Sequence, residues 1–266
     1  MAAPEFANAP APVRRNRILD LLTSGGFVKV TELSVLFGVS EVTVRADLDF
    51  LESEGELDRV HGGAVAARST TRTELAFEEA LGSLWDEKLL IASHAASLVK
   101  PGDSVIIDVG TTAAALARAL VDRNELRDVV VITNGLRIAL ELERAIPRFS
   151  VIVTGGTLRP LQHSLVNPLA DGLFATLHAD IAFIGCNGVD AVRGITNINL
   201  PEAEMKQRML SAANRRIVLA DGSKIGQVHL GRIADVSGVD GVITGASARP
   251  QPLELLRDAG LHVTRV

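Results

Sequence analysis

Tyrosine is missing from the 266 residues, and all aromatic side chains together make up 3%. Stacking of bases on an aromatic platform is therefore a poor candidate for the main mechanism. Cysteine is present once, as Cys186, which excludes an internal disulfide framework and fits a reducing compartment. The six histidines show no metal-ligand spacing, and no metal site is expected. No apolar run approaches the roughly 18–20 residues of a membrane span, so no membrane partner is expected. The opening "MAAPEFANAPAP" lacks the basic and apolar regions of a secretory signal. Rich in Ala and Pro, it reads as a disordered tail over residues 1–12, and a cytoplasmic location is expected. An excess of positive charge is missing too: the formal net charge is -5, so any nucleic-acid contact must use a local basic patch. Neither a G-x-x-x-x-G-K-[ST] loop nor a G-x-G-x-x-G fingerprint occurs, which disfavours nucleotides; no cofactor is expected.

What is present divides the chain in two. Its length suffices for two domains, and 47% hydrophobic with 22% charged residues is ordinary globular composition. Residues 13–66 hold three helical patterns in quick succession. "VRRNRILDLLTSGG" sets Ile18, Leu21 and Leu22 on one face and stops at Gly25-Gly26. Thr31 is placed to cap "ELSVLFG", whose Leu33, Leu36 and Phe37 point inward. Gly38 makes a turn, and Ser40 caps a third helix from 41 to about 54 with Val44, Leu48 and Leu51 as its buried stripe.

Two short helices joined by a tight glycine turn form the helix-turn-helix pattern, in which the start of the second helix meets base edges in the major groove. Glu41, Thr43, Arg45 and Ala46 stand on that exposed start, just after Ser40. Ser and Thr bond phosphates or bases, and Arg grips guanine bidentately. "ELDRVHGGAV" then reads as a hairpin wing with Gly62-Gly63 at its tip and Arg59 and His61 beside the DNA backbone. The bland alternative is a protein-docking module, since this region carries six basic and nine acidic residues. The signs are segregated, however. Arg14, Arg15 and Arg17 open the first helix, while Asp49, Glu52, Glu54 and Glu56 cluster at the far end of the third. The predicted DNA-contacting set is Arg14, Arg17, Ser40, Glu41, Thr43, Arg45, Arg59, His61 and Gly62.

Residues 67–74 are small and polar, a linker. From 75 to 266 the character changes. "LAFEEALGSLWDEKLLIASHAASLV" is helical in pattern, with Leu90, Ala95 and Leu98 facing a sheet and Trp85 as a packing anchor. Then "SVIIDVGTT", "VVVITNG", "SVIVTGGTLR", "IAFIGCNGV", "RIVLADGSK" and "GVITGA" each open with a short β-branched apolar run, and helical stretches separate many of them. That alternation predicts an α/β domain, Rossmann-like, with a mainly parallel buried sheet. Ligands of such sheets bind beyond the carboxyl ends of the strands. Those ends carry Asp108, Gly110, Thr111, Thr112, Asn134, Gly155, Gly156, Asn187, Gly188 and Lys224. In "DVGTTAAALARAL", Gly110 allows a tight turn and Thr111 and Thr112 open a helix whose N–H groups favour an anion, although Gly and Thr also serve simply as turn and cap. Lys206 and Lys224 could each neutralise a phosphate; for Lys206 a surface pair with Glu202 one turn away is the competing reading. Arg159 is a further candidate, with a solvated surface arginine as its alternative.

Taken together, "RRNRILDLL", "GFVKVTELSVLFGVSEVTVRADLDFLESEGEL" and "RVHGGAV" resemble the DNA-binding domain of the DeoR family of bacterial transcriptional regulators. "DVGTT", "TNGLRIA", "VTGGTLR", "GCNGV", "EAEMKQRML" and "ADGSKIG" resemble successive motifs of that family's effector-sensing domain, itself similar to sugar-phosphate isomerases of the ribose-5-phosphate isomerase type. The resemblance implies an operator DNA partner, a homo-oligomer (dimer or tetramer), and a phosphorylated sugar effector near "DVGTT" and "ADGSK". Two positions depart from the family pattern: Ala46 stands where a second arginine is frequent, and Asn187 where aspartate is frequent. The rival reading is a sugar-phosphate isomerase with a helical appendage. Isomerisation needs a general base at a carbon acid, and Asn187 takes no proton at neutral pH, which leaves Asp108 and Asp190 as substitutes. No catalytic residue is therefore predicted, and the chain reads as a regulator and not an enzyme.

Overall fold

The computed structural model describes residues 9–25, 27–53, 57–60, 62–66, 74–166 and 170–266. The chain forms two compact units, Met1–Thr73 and Glu74–Val266.

In the first unit, helix α1 (Ala11–Gly25) is followed by strand β1 (Phe27–Lys29), helices α2 (Val30–Phe37) and α3 (Glu41–Ser53), and strands β2 (Leu57–Val60) and β3 (Gly63–Ala66). Helix α1 thus begins two residues inside the stretch expected to be a disordered tail. Ile18, Leu22, Leu33, Phe37, Val44, Leu48, Leu51 and Leu57 close one buried core, and they include every residue of the helix stripes read from the sequence except the half-buried Leu21 and Leu36. Helix α2 starts one residue before Thr31, with Lys29 as N-cap and no side-chain cap, so the expected Thr31 cap does not form. The reason lies in β1, a three-residue strand unforeseen in the sequence. It pairs antiparallel with β3 and delivers the chain directly into α2. Ser40 does cap α3: its Oγ accepts from the Thr43 N–H at 3.2 Å. Strands β2 and β3 form the antiparallel hairpin, Leu57 opposite Ala66 and Val60 opposite Gly63.

The second unit opens with helices α4 (Phe77–Leu81) and α5 (Trp85–Ser97). Both lie in the stretch read as helical in pattern; Leu84, at φ 50°, separates the two. Then follow β4 (Ser104–Ile107), α6 (Thr111–Asp122), β5 (Val129–Thr133), α7 (Leu136–Leu142), β6 (Phe149–Val153), β7 (Thr157–Arg159) and β8 (Ser164–Val166). After α8 (Ala170–Phe174) come β9 (Ala179–Gly185), β10 (Gly188–Asp190), β11 (Gly194–Asn197), α9 (Leu200–Ser211), β12 (Ala213–Leu219), β13 (Gly231–Ala234), β14 (Gly241–Thr244), α10 (Pro250–Asp258) and β15 (Val263–Arg265).

Seven of these strands form one sheet in the order β15-β14-β12-β9-β4-β5-β6, every neighbouring pair parallel. Helices cover both faces, which is why the strands read as unbroken apolar runs. On β4, Val105 and Ile107 join Ile91, Ala95 and Leu116 in one core, while Ile106 joins Met205, Met209 and Leu253 in the other. Leu90, expected to face the sheet, is 55% exposed; Lys88 is buried instead. Trp85 packs partly buried against the first of these cores. Two small antiparallel additions, β7–β8 and β10–β11–β13, lie outside the main sheet.

Candidate DNA-reading face and ligand site

In the first unit the start of α3 is exposed, as its sequence required. The Ser40 and Thr43 hydroxyls share a hydrogen bond of 2.9 Å, and Arg45 pairs with Glu41 at 2.7 Å on the exposed helix surface. Val42 beside them is 73% exposed, an apolar side chain that the sequence reading passed over. Gly62 is exposed in the hairpin turn at φ 83°, and its carbonyl accepts from Val30 N–H. His61 lies outside the described residues. Arg59 pairs with Asp49 of α3, and its backbone N–H donates to Glu52 at 3.0 Å, so hairpin and helix are fastened together.

The basic cluster at the start of α1 is where the structure departs from the expectation. Arg14 is turned inward, its Nε donating to Asp47 Oδ2 at 2.8 Å and its Nη1 to Ala9 O. Arg15 takes the other Asp47 oxygen at 3.0 Å and lies 3.7 Å over the Phe50 ring. Arg14 is therefore off the exposed face, because the buried carboxylate of Asp47 needs partners. Arg17 is the more exposed, with Asp20 at 3.7 Å. The segregation of charge read along the sequence is thus largely cancelled in space: Arg14 and Arg15 cross to α3 at Asp47, and Arg59 to Asp49.

In the second unit the predicted residues gather at the carboxyl ends of β4, β5, β6, β9 and β12. Asp108 follows β4 and is fully buried. Its Oδ2 accepts from the Gly185 N–H at 2.9 Å and from the ammonium of Lys206, which α9 brings in from the other side. Its Oδ1 is buried without a partner. Burial pushes the Asp108 carboxyl above the usual range against the pull of Lys206. Burial equally disfavours the ammonium of Lys206, yet Asp108 and Glu202 outweigh it and raise its pKa. The surface pair of Lys206 with Glu202 does not form. Both are buried, and Glu202 instead accepts from Arg159 at 2.7 Å and Ser164 at 2.8 Å.

Asn134, after β5, donates its amide to Leu165 O at 3.0 Å and holds Oδ1 buried without a partner. Gly110 is the N-cap of α6 at φ 112° and ψ 168°, backbone that only glycine adopts readily. Thr111 and Thr112 then occupy the first turn of α6, Thr111 buried and Thr112 half-buried. Gly155 and Gly156 follow β6; at Gly156 a Cβ would come within 2.8 Å of Val166 O, so glycine lets β8 approach. Asn187 is committed to structure, its Oδ1 accepting from Ile198 N–H at 2.9 Å. Asp190 likewise accepts from Val192 and Arg193 N–H in the β10–β11 turn.

Lys224 ends a one-turn 3-10 helix after β12 and makes no salt bridge among the described residues. Close enough to feel its charge is Lys88, a residue the sequence reading missed. Burial first, and Lys224 in addition, lower the Lys88 pKa against the pull of Asp221 and Glu87. Its Nζ donates to Ala80 O at 2.7 Å. The neighbouring Glu87 staples α5 to the strand ends, accepting from Gly222 N–H at 2.6 Å and Ser247 N–H at 3.1 Å. Its signal in the sequence was a lysine inside an otherwise apolar helical face. Cys186, after β9, has its thiol pushed up to about 12 by burial, so it is no nucleophile. Among the described residues no group of three or more His, Cys, Asp or Glu is arranged to hold a metal, and no helix is long and apolar enough to cross a membrane.

The site therefore has two chemistries: cations at one part, Lys88 and Lys224, and unpartnered carboxylate and amide oxygens at another, Asp108 and Asn134. Comparison with known proteins follows the division into two units. Residues 14–70 match the DeoR-like helix-turn-helix domain, and residues 84–246 match the DeoR C-terminal sensor domain. The chain is 36% identical to an uncharacterized HTH-type transcriptional regulator, YulB, of Bacillus subtilis (strain 168), over 95% of this chain and 96% of that protein. It is 34% identical to the HTH-type transcriptional repressor CsqR of Escherichia coli (strain K12), over 85% of each. Among solved structures, ribose 5-phosphate isomerase A of Methanocaldococcus jannaschii is 24% identical, with a TM-score of 0.39 over 53% of this chain and 55% of that one.

Proposed function

Because the chain belongs to the DeoR family of bacterial transcriptional regulators, we propose that it represses carbohydrate-metabolism genes and that a phosphorylated sugar or related intermediate relieves the repression. The first unit reads the operator through the start of α3, with the β2–β3 hairpin as wing. The chain acts in the cytoplasm as a homo-oligomer, dimer or tetramer, on paired half-sites about 34–36 Å or a multiple apart. The observation that carries the effector half is a pair of orphaned acceptors at the strand ends, where Lys224 makes no salt bridge among the described residues. Lys224 supplies a positive charge for an anion there, and the first N–H groups of α6, at Thr111 and Thr112, add donors for it. Asp108 Oδ1 and Asn134 Oδ1, buried and unpartnered, are what sugar hydroxyls satisfy. One molecule that answers both needs is a phosphorylated polyol or sugar.

The isomerase reading is not favoured. Asn187 Oδ1 and Asp190 Oδ1 accept from backbone N–H groups, and Asp108 is tied to Lys206. The test is calorimetry of the full chain against glycerol 3-phosphate, ribose 5-phosphate, fructose 6-phosphate and glucose 6-phosphate, with the matched unphosphorylated compounds. One phosphate ester binds and its free counterpart does not. Lys224→Met weakens that binding at least about tenfold, as loss of a charged hydrogen bond requires. Equal binding of ester and free sugar, or indifference to Lys224→Met, would sink the phosphate assignment.

A further inference from the structure

The β7–β8 ribbon, residues 157–166, touches the ligand site on one side and, among the described residues, one entering segment of chain on the other. That segment is Glu74–Glu78, where the polypeptide coming from the DNA-reading unit enters the second unit. The ribbon holds it at four points. Arg159 forks onto Glu74, with Nη1 at 3.1 Å from Oε1 and Nη2 on Oε2. Gln162 Nε2 donates to Leu75 O at 2.7 Å. His163 Nε2 lies 2.8 Å from Glu78 Oε1, and the His163 ring meets Phe77 edge-on with centroids 5.9 Å apart. On its other side the ribbon is fastened to the site. Arg159 Nη1 also donates to Glu202 of α9 at 2.7 Å, one helical turn before Lys206, and Ser164 donates to the same Glu202 oxygen. Leu165 exchanges bonds with Asn134, its N–H donating to Asn134 O at 2.8 Å and its carbonyl accepting from Asn134 Nδ2.

The Arg159 side chain is 17% exposed, Glu74 9% and Glu202 4%. A guanidinium shared between two such carboxylates is a strong, directional link, and leaving either acid unpaired there is costly. We propose that Arg159 is a positioning residue that couples occupancy of the strand-end site to the placement of Glu74–Glu78, and so to the DNA-reading unit. This rests on the effector reading above. A ligand that engages Asn134 and the Asp108–Lys206 pair biases the ribbon and α9 together. Arg159 carries that bias to Glu74, the first residue of the second unit.

Hydrogen–deuterium exchange on the full chain, with and without a mixture of the four phosphate esters named above, reads both events at once. Residues 108–112 report occupancy, and residues 74–81 report the strap. In the unaltered protein both slow on ligand addition, the strap by at least about fivefold, the low end of ordinary coupling between sites. In Arg159→Met, and in the isosteric Glu74→Gln, residues 108–112 still slow while the strap no longer responds; Arg159→Lys restores part of the response. Slowing at 108–112 with an indifferent strap in the unaltered protein overturns the coupling and leaves the effector reading intact. Strap slowing that persists in both variants also overturns it, and slowing at neither segment overturns the effector reading and the coupling with it.

Discussion

Removing the carboxylate of Asp47 leaves Arg14 and Arg15, neighbours on α1, without the acid on α3 that both of them reach. Asp47→Ala should therefore lower stability by about 3 kcal/mol, less than a wholly dry pair because Arg15 keeps some water. Urea unfolding of the full chain checks this as a lower first midpoint with an unchanged slope. The opposite kind of residue is Val42. It is exposed on the turn of α3 to which the proposed function assigns groove contact, where an apolar side chain has a use if it meets a thymine methyl. Val42→Ala should weaken operator binding by about 1 kcal/mol. Replacing the contacted thymine by uracil, which lacks the methyl, should cost the unaltered protein as much and the variant nothing. Equal losses in both would remove Val42 from the reading set. Cys186 gives a third check at this scale. With its thiol held at about 12, against about 8.5 for an unperturbed cysteine, alkylation of the native protein should be slow at pH 8 and rise only in strong alkali.

At the scale of elements, the turn from β4 into α6 depends on Gly110. A Cβ there meets nothing within 4 Å, so Gly110→Ala is a test of backbone conformation and not of space. It should lower stability by about 1–3 kcal/mol and weaken phosphate-ester binding, since the first N–H groups of α6 shift with it. The helices were legible in the sequence because their apolar spacing shows a period, and the buried strands because they are short unbroken apolar runs. Val44, Leu48 and Leu51 on α3, and the runs that became β4, β5, β9, β12 and β14, all lie where expected. Five other strands of three or four residues were not: β1, β10, β11, β13 and β15 mix single apolar residues or pairs with charged, polar or glycine neighbours, and β1 in turn displaced the Thr31 cap. Side-chain orientation within a helix was the other limit. On α5 the apolar count favoured Leu90, but Lys88 takes the inner position because Ala80 O, Asp221 and Glu87 await it. The burial of Lys88 depends on Ala80 O in the preceding helix and on Asp221, 133 positions away, which the apolar spacing of α5 does not encode. The same holds for the site. Its strand-end residues were legible as a set of Asp, Asn, Gly, Thr and Lys at run ends. The Lys206–Asp108 and Glu202–Arg159 pairings were not, since they join residues 98 and 43 positions apart.

For the whole molecule, the account joins a DNA-reading face to a site suited to an anion and to hydroxyl groups. Such a protein gains its regulation from a ligand that prefers one of two arrangements, and gains none from one that binds both alike. Its first unit carries no excess of positive charge, so few phosphates are neutralised and the salt dependence of binding should be shallow for a DNA-binding protein. The most direct test is a titration of the full chain, at fixed salt, against DNA from immediately upstream of its own gene. It is run with and without the four phosphate esters and their unphosphorylated counterparts. The account predicts specific binding that one ester weakens at least about fivefold and that its free counterpart leaves alone. Specific binding indifferent to every ester, or no specific binding together with turnover of a sugar phosphate, would contradict it.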